Sequence, residues 1–281
     1  MDKTLSKSAL LRLPAVLQLI PVSKSTWWAW VASAKAPAPV SALLSGLVIK
    51  APWYLLFRFW FEIFPTNTLA AAIPLFSPLA IGAIVWGSLQ ALRQEKLKML
   101  VAYSSVAQIG YFFLLFPIIF HGATGPSRLA AVSYILSHGC AKSAMFLASG
   151  IFVLRLGHDR IAGLDGIHQQ CPVAGFAFGM AGISLMGLPP SGGFLAKYQY
   201  LNLAAQQGHW SSAAMILFGS LLTAAYVYKA ASHIFRPLDL GAPASASFAP
   251  MAQWCAFLLA SAAIVLGFSG MLMARFTEVS P

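Results

Sequence analysis

The sequence predicts an all-α polytopic membrane protein of about seven transmembrane helices, one of them broken near Pro189-Pro190. Three observations predict it. Apolar residues make up 59% of the 281-residue chain against 9% charged, and the mean hydropathy of +0.75 suits lipid rather than water as the solvent. Seven stretches reach the roughly 20 mostly apolar residues that a helix needs to cross a bilayer with every backbone group bonded internally. The basic residues flank those stretches unevenly, as they do in proteins with a fixed membrane orientation.

The stretches lie at about 40–62, 69–92, 97–120, 127–155, 172–207, 211–235 and 249–275. The fifth is too long for one helix, and Gly187-Leu188-Pro189-Pro190-Ser191-Gly192-Gly193 interrupts it. Glycine and proline end helices. It therefore reads as one crossing made of two half-helices, with its hinge at Gly187, Pro189, Pro190, Gly192 and Gly193. Residues 1–38 form a separate basic segment, whose short apolar run from Ala9 to Val22 is broken by Arg12 and Pro14. No Ala-x-Ala cleavage site follows it directly, so an interfacial segment is expected rather than a signal peptide. Residues 39–281 are expected to be one transmembrane domain, since the longest polar stretch, Arg155 to Gln170, is only a loop.

The net charge of +11 could suit nucleic acid, but the basic residues are spread over membrane-flanking loops rather than gathered on one soluble face. With the first span starting on one side, that side holds Lys3, Lys7, Arg12, Lys24, Lys35, Arg93, Lys96, Lys98, Arg155, Arg160, Lys229 and Arg236. The other holds Arg58, Arg128 and Arg275. The bias predicts a cytoplasmic N-terminus, an outside C-terminus and an odd number of crossings.

Redox and hydrolytic chemistry find little support. Cys140, Cys171 and Cys255 are widely spaced in or beside apolar stretches and read as packing residues, with no disulfide framework or metal site. The sequence has no Gly-rich phosphate loop, no Cys-x-x-Cys, no haem-type paired histidines and no Ser/His/Asp set. His158-Asp159-Arg160 reads as a solvated turn. No cofactor is expected, so redox chemistry would belong to a partner.

The ionisable residues inside the spans point elsewhere. Lys50 stands near the middle of the first span, about 15 Å from either interface at a rise of about 1.5 Å per residue, which is too far for its stem to reach water. His138 and Lys142, at i and i+4 on the fourth span, share one helical face near mid-membrane and suggest a relay. A lone buried histidine is more often a hydrogen-bonded core residue, and the neighbouring lysine tips the balance. Lys197 follows the Pro-Pro pair on the second half-helix, beside freed backbone groups that are tolerated at depth only where they line protein or water. Lysines in such a row can hand protons along it. Lys96 and Lys98 read as interface anchors, with Lys98 also a candidate channel mouth, and Lys229 reads as a lysine reaching toward the interface. Asp2, Glu62, Glu95, Asp159, Asp165, Asp239 and Glu278 all fall in loops or at helix ends, and the lack of a carboxylate inside a span favours protons over sodium.

Four strings then become informative together. Ala36-Pro37-Ala38-Pro39-Val40-Ser41-Ala42-Leu43-Leu44-Ser45-Gly46 followed by Lys50 resembles the antiporter-like subunits shared by respiratory complex I, multisubunit sodium/proton antiporters and membrane-bound hydrogenases. Lys96-Leu97-Lys98-Met99-Leu100-Val101-Ala102-Tyr103-Ser104-Ser105 with Gln108 and Gly110 is similar to the family's lysine-led helix. Ser137-His138-Gly139-Cys140-Ala141-Lys142 with Phe146-Leu147 is similar to its histidine/lysine helix. Gly187-Leu188-Pro189-Pro190-Ser191-Gly192-Gly193-Phe194 with Lys197 is similar to its broken helix.

The resemblance implies that Lys50 is a central-axis lysine, His138 and Lys142 connecting groups, and Lys197 the residue of an exit half-channel. It also implies a place among other membrane subunits of a large complex of the NADH:quinone oxidoreductase, hydrogenase or cation/proton antiporter type. Electron transfer in a peripheral arm would then drive proton movement in a bacterial cytoplasmic or equivalent energy-converting membrane, and the chain would have no redox centre of its own. Family members have about fourteen spans in two inverted repeats, of which this chain resembles the last seven. The first repeat's buried glutamate and broken-helix lysine have no counterpart here. Trp28 matches the tryptophan that precedes the Ala-Pro string, and Lys24 is no positional substitute for the absent groups. Two expectations follow: a proton-translocating subunit whose other half comes from another chain, or a structural or assembly subunit without its own through-channel.

Overall fold

The computed structural model of the chain describes residues 37–63, 66–119, 125–238 and 249–269. The expected interfacial segment lies outside the described residues up to position 36. The described helices belong to one compact unit that begins at Ala38.

Among the described residues eight helices of 15 residues or more follow in order: α1 (Ala38–Arg58), α2 (Thr66–Arg93), α3 (Leu97–Ile118), α4 (Gly125–Leu156), α5 (Pro172–Met186), α6 (Gly192–Gln206), α7 (Trp210–Ile234) and α8 (Pro250–Val265). Among the described residues there is no strand, only an isolated bridge between Lys96 and Arg160. Helices α1, α3, α4, α7 and the Ile73–Arg93 part of α2 are each long and apolar enough to cross a membrane. At 15 residues apiece, α5 and α6 are too short to cross singly and form the expected broken crossing. Helix α8, with 16 residues, is the last apolar helix among the described residues. The chain is an all-α integral membrane protein, with the expected elements in the expected order.

Helix α4 is the hub, packing on α1, α3, α5, α6 and α8, while α2 lies along α3 and α7. Lipid tails are as apolar as leucine, so helix association here relies on close packing and interhelical hydrogen bonds. The buried apolar side chains fall into two clusters. On α3 the first takes Leu97, Leu100 and Val101 and the second Tyr111 to Phe116; on α4 the second takes Ala130 to Tyr134 and the first Ala141 to Phe152; on α7 the second takes Ala213 to Ile216 and the first Tyr226 to Ile234. Between them lies a layer of buried polar groups at one level: Ser104, Ser105 and Gln108 of α3, Ser137 and His138 of α4, Ser184 of α5, and Thr223 of α7. Large apolar side chains outside the core, such as Leu47, Leu75, Leu154, Leu221 and Leu258, are exposed, as lipid-facing positions should be.

The break between α5 and α6 has a definite local cause. Gly187 adopts φ +81°, a left-handed conformation open to glycine at little steric cost. Its N–H bonds Ser184 O at 3.1 Å, and the Leu188 N–H bonds Ile183 O at 3.2 Å, the paired bonds of a Schellman motif. Ser191 then caps α6, its hydroxyl accepting from the Phe194 N–H at 3.2 Å. The half-helices touch at Gly193, where an added Cβ would lie 1.7 Å from Ser184 O.

On the side that holds the loops after α2, α4 and α7, backbone bonds join loop to loop. Leu97 N–H donates to Asp159 O and Ile161 N–H to Glu95 O, both at 2.8 Å. The His158-Asp159-Arg160 turn is thus backbone-paired to the α2–α3 connection rather than simply solvated. Asp165 accepts from His233 Nδ1 at 2.9 Å and from Arg236 at 3.3 Å. The His233 hydrogen bond, with the Arg236 charge beside it, holds the Asp165 carboxyl below its ordinary range. Lys229 corrects the reading of it as an interface-seeking side chain: it donates to Leu92 O and Gln94 O, each at 2.7 Å, and so caps the C-terminal end of α2.

Two outcomes follow from these contacts. Gly193→Ala is expected to lower the thermal midpoint of the purified protein, an overpacking of roughly 1–3 kcal/mol. Gly82→Ala, where nothing lies within 4 Å of the added Cβ, should not. An unchanged midpoint for Gly193→Ala would contradict the close approach of the half-helices. A depressed carboxyl stabilises the folded form above its unfolded-state pKa, and the effect fades as pH falls through the lowered folded value. Asp165→Asn should therefore speed hydrogen exchange of the 157–171 loop at neutral pH, with the difference from the parent vanishing in strong acid.

Candidate functional site

The titratable side chains expected inside the spans are buried: Lys50 is 4% exposed, Lys142 0%, His138 3% and Lys197 6%. Among the described residues no carboxylate is buried with them, so each ammonium must find its acceptors elsewhere.

Lys50 finds them at an irregularity in its own helix. Residues Leu44–Val48 form a π-turn, and the Ile49 N–H reaches back five residues to Leu44 O at 3.2 Å instead of four to Ser45 O. The Lys50 ammonium donates to Ser45 O. This turn sits where α1 and α4 press together: a Cβ on Gly46 would collide with Ser143 Oγ at 2.1 Å.

The serines of α3 carry the connection onward. Ser45 and Ser105 share a hydroxyl hydrogen bond of 2.8 Å, and Ser105 and Ser104 donate to Val101 O at 3.3 and 2.8 Å. Lys142, from α4, donates to the same Val101 O at 2.9 Å and to the Ser104 hydroxyl. Lys50 and Lys142 are thus ends of one hydrogen-bonded cluster spanning α1, α3 and α4.

His138 lies one turn from Lys142 and within electrostatic reach of Lys50, Lys142 and Lys197. Its ring stacks on Tyr134, with centroids 6.1 Å apart and planes at 7°, and meets Phe112 edge-on at 5.6 Å. Neither ring nitrogen has a hydrogen-bond partner among the described residues. A small internal cavity lies beside it, lined by His138, Lys197, Tyr134, Gln108, Ser137 and Ser184. Its volume is about 10 Å³, the room of roughly one water molecule. In its lining the Ser137 and Ser184 hydroxyls share a hydrogen bond of 2.9 Å.

Lys197 completes the set. Its ammonium donates to Leu185 O at 2.9 Å and Met186 O at 3.3 Å, the terminal carbonyls of α5 left over by the Schellman bonds, and stands 4.6 Å from the centroid of the Tyr111 ring. The five hinge residues therefore divide. Gly187 and Gly193 shape the Lys197 pocket and Gly192 is buried beside Ser137, whereas Pro189 and Pro190, joined by a cis peptide, lie exposed at the turn. Lys98 is half-buried in the first turn of α3, at the membrane-surface end of the serine cluster.

Several participants carried no chemical reading in the sequence. Ser45, Ser104, Ser105 and Gln108 belong to the strings that carry the family resemblance, and Tyr111, Tyr134, Ser184, Thr223 and Tyr226 lie outside them. Their one signal was polarity inside an apolar span, where a hydroxyl or amide needs a partner.

A family model described as "NADH:quinone oxidoreductase/Mrp antiporter, TM" matches residues 8–223. The chain is 31% identical over 206 residues to NADH-quinone oxidoreductase subunit N of Desulforudis audaxviator, a match covering 72% of this chain and 40% of that protein. It superposes on a subunit of respiratory complex I from Thermus thermophilus with TM-score 0.62 and 27% identity, over 85% of this chain and 51% of that one. On a chain of the Mrp complex from Dietzia sp. the TM-score is 0.75 at 24% identity, over 86% and 52%, a likeness of fold. The chain spans about two fifths of the length of the curated relatives it matches. With a family match over most of its residues, the chain belongs to the NADH:quinone oxidoreductase/Mrp antiporter transmembrane family.

Proposed function

We propose that the chain is a proton-translocating, antiporter-like subunit of a multisubunit energy-converting membrane complex, and that its protons pass along Lys50, Lys142, His138 and Lys197. The observation that carries the reading is the set itself: four buried titratable groups without a buried carboxylate among the described residues, connected by serine hydroxyls on one side and a polar cavity on the other. A lysine at the centre of a helix in a bilayer costs about 2.5–3.5 kcal/mol on insertion scales, which packing alone does not offset. Proton exchange gives such residues a use.

Lys98 serves as the mouth of this path, and the glycines at the broken helix shape its Lys197 end. The relatives named above are subunits of a quinone oxidoreductase and of complex I and Mrp assemblies, which supports other membrane subunits as partners here. Coupling comes from electron transfer, or from counter-moving cations, in those partners. The remaining length of the relatives, on whichever polypeptide it lies, supplies the entrance. The positive-inside count supports a cytoplasmic N-terminus and an outside C-terminus in a bacterial cytoplasmic or equivalent membrane, with residues 39–281 as the translocating domain.

The test is proton uptake by the purified complex in liposomes under an imposed potassium diffusion potential, followed with an internal pH dye. Lys197→Ala is expected to abolish uptake while the complex is recovered with all its subunits. Uptake at the parental rate would overturn the proposal.

A further inference from the structure

The cavity between His138 and Lys197 has one wall whose hydrogen-bond direction is dictated from a distance. Gln108 is 1% exposed on α3 and reaches two elements at once. Its amide nitrogen lies 3.3 Å from Thr223 Oγ1 and 3.2 Å from Tyr226 Oη on α7. Its amide oxygen accepts from the Tyr134 hydroxyl on α4.

The directions can be deduced from one fixed end. Gly219 O is a carbonyl and can only accept, so Thr223, 2.8 Å away, must donate to it. Thr223 then has only lone pairs left, which take the Tyr226 proton at 3.3 Å and one proton of the Gln108 amide. Tyr226, its own proton taken by Thr223 or by the Ser104 hydroxyl, accepts the other amide proton. The nitrogen of Gln108 must therefore face α7 and its oxygen α4, which leaves Tyr134 no choice but to donate. The only hydrogen-bonding capacity that Tyr134 presents to the cavity is a lone pair.

We infer that Gln108 is a positioning residue that holds Tyr134 as an acceptor-only wall of the cavity, fixing the ring of His138 and keeping the proton on the His138–Lys197 step. This deepens the proposed function and rests on it. Tyr134 carries the stacked face on which His138 lies, and His138 has no hydrogen bond of its own among the described residues to fix its ring. Loss of the Gln108 acceptor frees the Tyr134 hydroxyl to turn into the cavity as a donor, where it competes for the lone pair that a proton from Lys197 needs. Every group facing the cavity other than His138 and Lys197 is neutral: Tyr134, Gln108, Ser137, Ser184, Leu185 and Gly193.

The experiment uses the same reconstituted complex, imposed potential and internal pH dye, with Lys197→Ala run alongside. Gln108→Met and Tyr134→Phe should each slow proton uptake by roughly tenfold, about the weight of one hydrogen bond in a rate. The double variant should be no slower than either single one, because both break the same link. Thr223 separates hydrogen bonding from packing. Thr223→Val keeps the shape and loses the acceptor, so it should slow uptake; Thr223→Ser loses a methyl and keeps the acceptor, so it should restore the parental rate. A purely structural role predicts the opposite order for that pair. Should Gln108→Met fail to assemble, the Thr223 pair and Tyr134→Phe decide alone. Parental uptake by Thr223→Val and Tyr134→Phe, with Lys197→Ala inactive, would overturn the inference and spare the proposed function. Parental uptake by Lys197→Ala would overturn the proposed function first.

Discussion

A buried ammonium with no carboxylate beside it must be solvated by dipoles, and in a membrane helix the backbone carbonyls are normally consumed by the ladder. The structure answers by opening the ladder where lysines sit. A π-turn releases Ser45 O to Lys50, and the Schellman end of α5 leaves Leu185 O and Met186 O for Lys197. The C-terminal end of α2 offers Leu92 O and Gln94 O to Lys229. Lys142 is handled differently, sharing Val101 O with two serine hydroxyls. Carbonyls and hydroxyls accept from an ammonium without stabilising its charge as strongly as a carboxylate would, which suits groups that must give up a proton.

The same economy explains the layered core. The two apolar clusters hold the helices together, while the polar groups concentrate at the level between them on α3, α4, α5 and α7. Polar groups buried in lipid surroundings are costly when unpaired, so they gather where they can satisfy one another. The layer therefore joins His138 and Lys197 across the bundle, with the serines of α3 extending it toward Lys142 and Lys50. Small residues make the crossing tight: Gly46 on Ser143, and Gly193 on Ser184.

Much of this was legible in the sequence, and for physical reasons. Charge inside an apolar span is rare enough to be read directly, so Lys50, His138, Lys142 and Lys197 stood out without a structure. Gly187 and the prolines after it marked the broken helix because glycine and proline act through local backbone geometry. The π-turn before Lys50 was not legible, since it accompanies the approach of α1 to α4, and neither was the division of the break into glycines that shape the pocket and prolines that lie outside it. Lys229 reads as a surface lysine until α2 is folded against α7. Gln108 is the clearest case: its polarity inside an apolar span calls for a partner without naming one, and its meaning depends on Thr223 and Tyr226, more than a hundred residues away in the chain.

If the titratable nitrogens form a path, His138 is where their role separates from packing. His138→Phe keeps an aromatic ring on Tyr134 and Phe112 and removes only two nitrogens that bond nothing among the described residues. The decisive measurement is voltage-driven proton uptake by the reconstituted His138→Phe complex. A proton path through His138 requires an intact assembly with uptake lost, and parental uptake in that variant would contradict it.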